Sequence, residues 1–218
     1  MEINSRSKGC LVAAIEMGVK FSTYAFSFKS AWRKVYTNQW AKGSHKTSTC
    51  LLLKKDLTES LFGYEAEEKH SELQSEDCHC DFYFFKEFTT ILLQGDSKWH
   101  ALCYDVTGKS LEAGLVFEHA IRYLKKCLLQ QIETGLQGSM DMDDVDIDYV
   151  FTVPAIGDEN TKMFIREAAV NRSTMGQNRL NALTLLQIHR DIPLDYKKIV
   201  DIFINKNQRR MVSNNPFK

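Results

Sequence analysis

Residues 14–28, which read Ala-Ile-Glu-Met-Gly-Val-Lys-Phe-Ser-Thr-Tyr-Ala-Phe-Ser-Phe, decide how this sequence is interpreted. An apolar run reaches Glu16, a turn follows at Gly18, and the residues beyond it alternate between apolar and polar. This pattern predicts two strands joined by a tight turn. A carboxylate beside a glycine turn suits a magnesium-bound phosphate, because the acid can hold metal-bound water while backbone N–H groups face the phosphate oxygens. An ordinary β-hairpin is the alternative interpretation of this segment taken alone.

The bulk composition excludes several classes of protein. The chain has 218 residues, 44% hydrophobic and 26% charged, as is ordinary for a globular protein. Its formal net charge is zero, which argues against a nucleic-acid partner bound through bulk charge. It has no apolar run long enough to span a bilayer, so we expect no membrane partner. The six cysteines lack the spacing of a disulfide scaffold, which predicts reduced thiols and a cytoplasmic location.

The later part of the chain predicts an α/β layer. Apolar residues recur every three or four positions over residues 111–134, which predicts a long helix that ends at Gly135. Residues 145–153 alternate as a strand does, and Asp158 is the expected N-cap of a helix reaching Val170. Further expected elements are strands at Ala31–Tyr36 and Cys50–Leu53, a helix at Glu65–Leu73, a turn at Tyr104–Lys109, short helices at Leu180–Ile188 and Tyr196–Ile204, and strand or buried helix at Phe82–Phe85 and Ile91–Leu93.

Three separated stretches carry a resemblance to a known family. The first is residues 15–28. The second is Lys46-Thr47-Ser48-Thr49 with Leu51-Leu52-Leu53 and Phe62-Gly63-Tyr64, and the third is Phe151-Thr152-Val153-Pro154-Ala155-Ile156 with Phe164-Ile165-Arg166-Glu167-Ala168-Ala169. In this order they resemble the 70-kilodalton heat-shock family of the actin-like ATPase superfamily, and its divergent twelfth-member branch most closely. The resemblance covers about residues 10–170.

The resemblance implies an α/β fold, a mixed sheet with flanking helices and a ribonuclease H-like motif, as in the first lobe of the actin-like ATPase domain. It implies a nucleotide-binding lobe at residues 10–170. The residues on either side of that lobe predict a polar N-terminus at 1–9 and a divergent basic tail at 171–218. ATP with magnesium is the implied cofactor, and ATP-gated chaperone work is the implied ancestral role. The cofactor-binding residues would be Glu16, Gly18, Val19 and Lys20, with Glu16 holding the metal through water.

The chain also departs from the family pattern. Where the family has Asp, an apolar residue, Gly and two Thr, this sequence has Glu16, Val19 and Lys20 in place of the acid and the two hydroxyls. The family's catalytic lysine would fall near residues 88–93, where no lysine stands, and Lys86 and Lys98 flank the position. Small errors in the position of a catalytic group strongly reduce the rate of phosphoryl transfer. We therefore expect a pseudo-ATPase, with weak or lost ATP binding and hydrolysis.

Two other hypotheses remain open. The chain would be a non-catalytic interaction module if the exposed lobe face binds another protein or a co-chaperone. It would instead be a splice or gene-model fragment if it lacks independent stability, since the resemblance is lost after Val170. Cys78-His79-Cys80 falls short of the four ligands of structural zinc, so thiols in a loop are the expectation there.

Overall fold

The structure, a computed structural model, describes residues 11–75, 81–93, 98–136, 147–153 and 158–170, and the backbone of residues 180–185. Its three helices in these ranges are α1 (Tyr64–Ser75), α2 (Ala113–Leu136) and α3 (Glu159–Val170). The strands are β1 (Leu11–Met17), β2 (Phe21–Phe28), β3 (Tyr36–Thr37), β4 (Thr47–Ser48), β5 (Cys50–Lys54), β6 (Ser60–Phe62), β7 (Phe82–Lys86), β8 (Leu102–Tyr104), β9 (Ser110–Glu112), β10 (Ile147–Val153) and β11 (Leu180–Leu185).

The main sheet has the strand order β11-β10-β1-β2-β3, and β4 pairs with β2 away from this path. β1 runs parallel to β10 and antiparallel to β2, and β10 runs parallel to β11. This order and these directions are those of the ribonuclease H-like motif. The predicted α/β fold, a mixed sheet with flanking helices, is confirmed.

One face of the main sheet carries the core. Buried residues alternate with half-buried ones along β1 and β10, as expected for strands covered more completely on one face. The apolar stripe of α2 packs on the buried face together with α3. The Phe117 ring of α2 meets Phe88 and Phe164 edge-on, at centroid distances of 5.1 and 4.9 Å. The predicted long helix and its core-facing stripe are confirmed.

A second, three-stranded sheet has the order β6-β5-β7. Its central strand β5 is buried on both faces. Leu51 and Leu53 belong to the main core, whereas Leu52 packs with Ala66 and Leu73 of α1 in a separate cluster. The short run at Cys50–Leu53 is apolar at every position, rather than at alternate ones, because one face of the strand packs in the main core and the other in the cluster with α1.

Three element predictions are wrong. Ala31–Tyr36 is not a strand, because Lys29–Ala31 forms a 3-10 turn and pairing with β2 begins only at Tyr36. Leu180–Leu185 is a strand rather than the start of a helix, since it pairs with β10. Gly135 lies within α2 instead of ending it.

Other predictions meet the structure only in part. The Phe82–Phe85 ambiguity resolves to strand β7, and Ile91–Leu93 lies in a 3-10 segment, Phe88–Leu93. The Cys78-His79-Cys80 loop and the Tyr196–Ile204 helix lie outside the described residues. The three-part domain division stays a prediction, although β11 carries the main sheet past residue 170. In the part of the chain that is described, no helix is long and apolar enough to cross a membrane.

Candidate functional site

The turn between β1 and β2 is the candidate site, and glycine is required in it. A Cβ atom added at Gly18 would lie 2.8 Å from the carbonyl oxygen of Phe21, closer than side-chain carbons approach an oxygen. The Gly18 N–H donates to that same oxygen at 3.1 Å. The backbone therefore closes on itself at this point, and the next two residues, Val19 and Lys20, form the tip of the turn.

The turn is held from outside by two other segments. The Thr89 hydroxyl, in the 3-10 segment after β7, donates to the Gly18 carbonyl oxygen at 3.1 Å. The Thr49 N–H, between β4 and β5, donates to the Lys20 carbonyl oxygen at 2.9 Å. Thr49 also shares a buried hydrogen bond of 2.7 Å with the Ser22 hydroxyl. These contacts fix the Gly18 and Lys20 carbonyl groups, and the first of them also fixes the direction of the Val19 N–H, which belongs to the same planar peptide group as the Gly18 carbonyl.

Two N–H groups at the tip are available to a ligand. Among the described residues, no acceptor takes the N–H of Val19 or of Lys20. Consecutive backbone N–H groups at a tight turn form a concave site that favours an anion. Val19 is half-buried, while Lys20 is exposed. The tip of the turn therefore carries two backbone donors without a described acceptor and one exposed lysine side chain.

Glu16 lies just before the turn, near the end of β1. It is half-buried and pairs in register with Thr23 on β2 and Thr152 on β10. Residues paired across neighbouring strands share a face, so these three form a polar row on the less buried face of the sheet. The Thr23 hydroxyl donates to the His45 carbonyl oxygen at 2.7 Å. The carboxylate therefore lies on the same surface of the sheet as two hydroxyl side chains.

The donor set of the turn fits a phosphate group and does not fit a magnesium ion. Magnesium takes six oxygen ligands, mostly carboxylate, phosphate and water. Here Glu16 is the single carboxylate of the turn, Val19 offers no oxygen, and the Lys20 ammonium repels a cation. A phosphate, by contrast, is matched by the two N–H groups and the ammonium. In the described ranges, no group of three or more His, Cys, Asp and Glu side chains is arranged to hold a metal ion.

The segment where the family lysine was sought is part of the core instead. Phe88, Thr89, Ile91 and Leu92 are buried in it. Lys86 ends β7 with its ammonium 5.3 Å from the ring centroid of Phe84. Thr89 is thus the residue of this segment that contacts the turn, and sequence reasoning missed it. Its sole signal was its position in the stretch where a site residue was expected.

A second concavity of about 660 Å³ lies between α2, α3 and the loop before β8. Its lining includes Trp99, Glu112, Glu118 and Glu167. Glu118 is buried and pairs with Arg122, and His100 Nδ1 lies 2.9 Å from a Glu112 carboxylate oxygen. Three of its lining residues are glutamates, so this cleft is a poorer match to a phosphate group than the turn.

The three cysteines among the described residues are poor nucleophiles. Burial raises the pKa of Cys50, Cys103 and Cys127 to about 11 in each case. A thiol is nucleophilic as its thiolate, so these three groups are unreactive at neutral pH.

Comparison with known proteins finds partial relatives. No family model matches the chain. It is 34% identical to human heat shock 70 kDa protein 12B over 165 residues, which are 73% of this chain and 24% of that protein. It is 26% identical to mouse heat shock 70 kDa protein 12A over 210 residues, 88% of this chain and 31% of that protein. The chain thus spans about a quarter to just under a third of the length of these relatives.

Among solved structures, a non-polymerising mutant of MamK bound to AMPPNP is similar with a TM-score of 0.39 and 14% sequence identity. The match covers 83% of this chain and 42% of that one.

Proposed function

The chain is a divergent relative of the heat shock 70 kDa protein 12 branch of the 70-kilodalton heat-shock family, and we propose that it provides a nucleotide-binding lobe. In this proposal residues 16–20, the phosphate loop, receive the phosphates of ATP. In the same proposal, ATP binding and hydrolysis by this loop are weak or lost. A chaperone ancestry and a cytoplasmic location belong to the same proposal.

The observation that carries the proposal is the anchored turn at Gly18. Its carbonyl oxygens are fixed by Thr89 and Thr49, and its tip N–H groups have no acceptor among the described residues. A preorganised set of donors binds an anion without paying the entropy of ordering a loop. Because β1 runs parallel to β10 and Glu16 is paired with Thr152, the turn lies beside the end of β10.

Weak binding and lost hydrolysis follow from the side chains. Val19 and Lys20 supply no hydroxyl, and Glu16 holds its carboxylate one methylene farther from the backbone than aspartate would. Phosphoryl transfer depends on positioning and on charge stabilisation, both of which these changes disturb.

The test is an ATP titration of the ¹⁵N-labelled chain followed by nuclear magnetic resonance. We expect the amide signals of Gly18, Val19 and Lys20 to shift with ATP. Shifts confined to other parts of the chain, with none in the phosphate loop, would refute the proposal.

A double variant sharpens this test. Val19→Thr with Lys20→Thr restores two hydroxyls, and we expect ATP in the presence of Mg²⁺ to bind it roughly tenfold more tightly than wild type. The exposed pair Lys34 and Val35 offers a matched control, because the same two changes there leave the phosphate loop untouched. Equal affinities in the two double variants would contradict the assignment of the loop.

A second candidate function is a non-catalytic protein-interaction module. Leu102 and Tyr104 are 49% and 64% exposed on β8, and Val106 beside them is 51% exposed. Adjacent exposed apolar side chains are typical of a protein-binding surface. The test compares the binding of a candidate co-chaperone to Leu102→Ser/Tyr104→Ser and to Met163→Ser, an exposed apolar residue on α3. Loss in the first variant alone would favour this function.

A further inference from the structure

We propose that the phosphate loop binds a di- or triphosphate group without a metal ion, with the Lys20 ammonium in the role that magnesium plays in the family. The inference rests on the proposed function and goes beyond it, because it reverses the expected metal dependence. The ligand is the free polyphosphate anion, whether it is carried by a nucleoside or not.

The first step of the argument concerns the charge at the tip of the turn. Lys20 is exposed and makes no ion pair with any described residue. Glu16, four positions before it, likewise makes no ion pair among the described residues. An ammonium that pairs with no described residue is available to an incoming phosphate, and a charge-assisted bond to phosphate is stronger than a neutral one.

The second step concerns what the turn offers beside that charge. The N–H groups of Val19 and Lys20 have no acceptor in the described part of the chain. The bond from Thr89 to the Gly18 carbonyl oxygen sets the direction of the Val19 N–H, which belongs to the same planar peptide group, and the bond from the Thr49 N–H to the Lys20 carbonyl oxygen holds the other side of the tip. The Lys20 backbone is therefore held while its side chain extends into solvent. The ammonium and the backbone donors can meet one phosphate group together.

The third step concerns competition with magnesium. A magnesium ion bound to ATP cancels part of the phosphate charge and brings its own positive charge to the turn. Two cations close to one phosphate repel each other. Magnesium should therefore weaken binding to this chain, while it strengthens binding wherever hydroxyl and carboxylate oxygens hold the metal-bound water.

The experiment measures the affinity of the full chain for tripolyphosphate and for ATP by calorimetry, each in EDTA and in excess Mg²⁺. We expect wild type to bind both ligands in EDTA and to lose at least about threefold in affinity when Mg²⁺ is added. Similar affinities for the two ligands would identify the polyphosphate as the recognised group. A clear preference for ATP would assign part of the affinity to its nucleoside.

Three variants isolate the ammonium. In EDTA, Lys20→Thr should weaken tripolyphosphate binding roughly tenfold, whereas Lys20→Arg should keep most of it because the positive charge remains. Lys34→Thr, which removes an exposed lysine from another segment, should change nothing. Each variant is accepted only with a cooperative thermal melt, and Lys20 is exposed in a turn, so we expect little effect on folding.

The outcomes separate this inference from the proposed function. Tighter binding by wild type in Mg²⁺ than in EDTA, or equal weakening by Lys20→Thr and Lys34→Thr, would overturn the metal-free site and leave the nucleotide-binding lobe standing. Absence of binding by wild type in EDTA would also overturn it, while Mg²⁺-dependent ATP binding by the Val19→Thr/Lys20→Thr variant would still support the lobe.

Discussion

Gly63 joins β6 to α1 with a backbone φ of +68°. A Cβ atom there would lie 2.0 Å from the hydroxyl oxygen of Thr47, a buried side chain that accepts the N–H of Tyr64 at 2.9 Å. Gly108 has a similarly positive φ of +85°, but a Cβ atom added to it would have no neighbour within 4 Å. An alanine at Gly108 would therefore suffer backbone strain alone, whereas an alanine at Gly63 would suffer the same strain and a steric overlap with Thr47.

We expect Gly108→Ala to lower the free energy of unfolding by about 1 kcal/mol, the cost of a left-handed conformation for a residue with a side chain. Gly63→Ala should cost about 2 kcal/mol more, because it also displaces Thr47 and breaks a buried hydrogen bond. Urea denaturation of both variants measures the difference. Equal losses of unfolding free energy in the two variants would show that Thr47 moves aside without destabilising the protein.

The pKa of the Asp158 carboxylate is lower in the folded protein than its ordinary value. Its carboxylate accepts the Thr161 N–H at 2.9 Å as the N-cap of α3, and this backbone hydrogen bond lowers its pKa below the ordinary value of 3.8. The cap's stabilisation is therefore fully present at neutral pH and is lost as pH falls through the lowered pKa.

The expected result is that Asp158→Ala lowers the melting temperature at neutral pH and makes progressively less difference as the pH is lowered below about 4. Asp158→Asn keeps a capping oxygen without a titrating group, so its melting temperature should depend less on pH over this range. Thermal melts of the three proteins across that range decide the matter. A constant gap between wild type and Asp158→Ala would mean that the charge of the cap is irrelevant.

At the scale of the elements, Phe117 connects α2 to both α3 and the 3-10 segment that anchors the phosphate loop. Phe117→Ala removes a fully buried ring and two edge-on aromatic contacts, so we expect a loss of about 3–5 kcal/mol in the free energy of unfolding. Met163→Ala on α3, where the side chain is 67% exposed, should stay within about 0.5 kcal/mol of wild type. Chemical denaturation measures both.

The elements that sequence reasoning located are those with long or regular patterns. The stripe of α2 and the alternation of β2 and β10 were predicted correctly because burial in each follows one period, and Asp158 was predicted correctly because its residue type is a preferred N-cap. Leu180–Leu185 was misread because a short apolar run has no decisive period, and its pairing with β10 decided the outcome. Ala31–Tyr36 failed because a local turn, with the Lys34 N–H donating to the Ala31 carbonyl oxygen, interrupts the strand.

The candidate site shows the same division. The glycine turn and Glu16 were found because they are contiguous in sequence. Thr49 and Thr89, which hold the turn, come from segments about 30 and 70 residues away, and only tertiary packing brings them there. Local patterns therefore predict the turn, while the contacts that make it a preorganised site depend on the whole fold.

At the scale of the whole molecule, buried thiols report on cooperativity. Cys50 and Cys103 are buried, and Cys127 is half-buried with its pKa also raised to about 11. In a variant with Cys10, Cys78 and Cys80 changed to Ser, we expect Cys50 and Cys103 to react with Ellman's reagent at one common slow rate, because each requires global unfolding, and the half-buried Cys127 to react faster. Distinct rates for Cys50 and Cys103, or rapid labelling of both, would support the unstable-fragment hypothesis.

The parallel pairing of β1 with β10 has a consequence for how the chain is made. The two strands lie roughly 140 residues apart in sequence, so at about 5–20 residues per second a ribosome needs about 7 to 28 seconds to deliver β10 after β1. During that interval the nascent β1–β2 hairpin exposes an edge whose eventual neighbour does not yet exist. Slower synthesis would lengthen this exposure, so the yield of folded chain should depend on elongation rate and on holdase chaperones that shield the edge of β1.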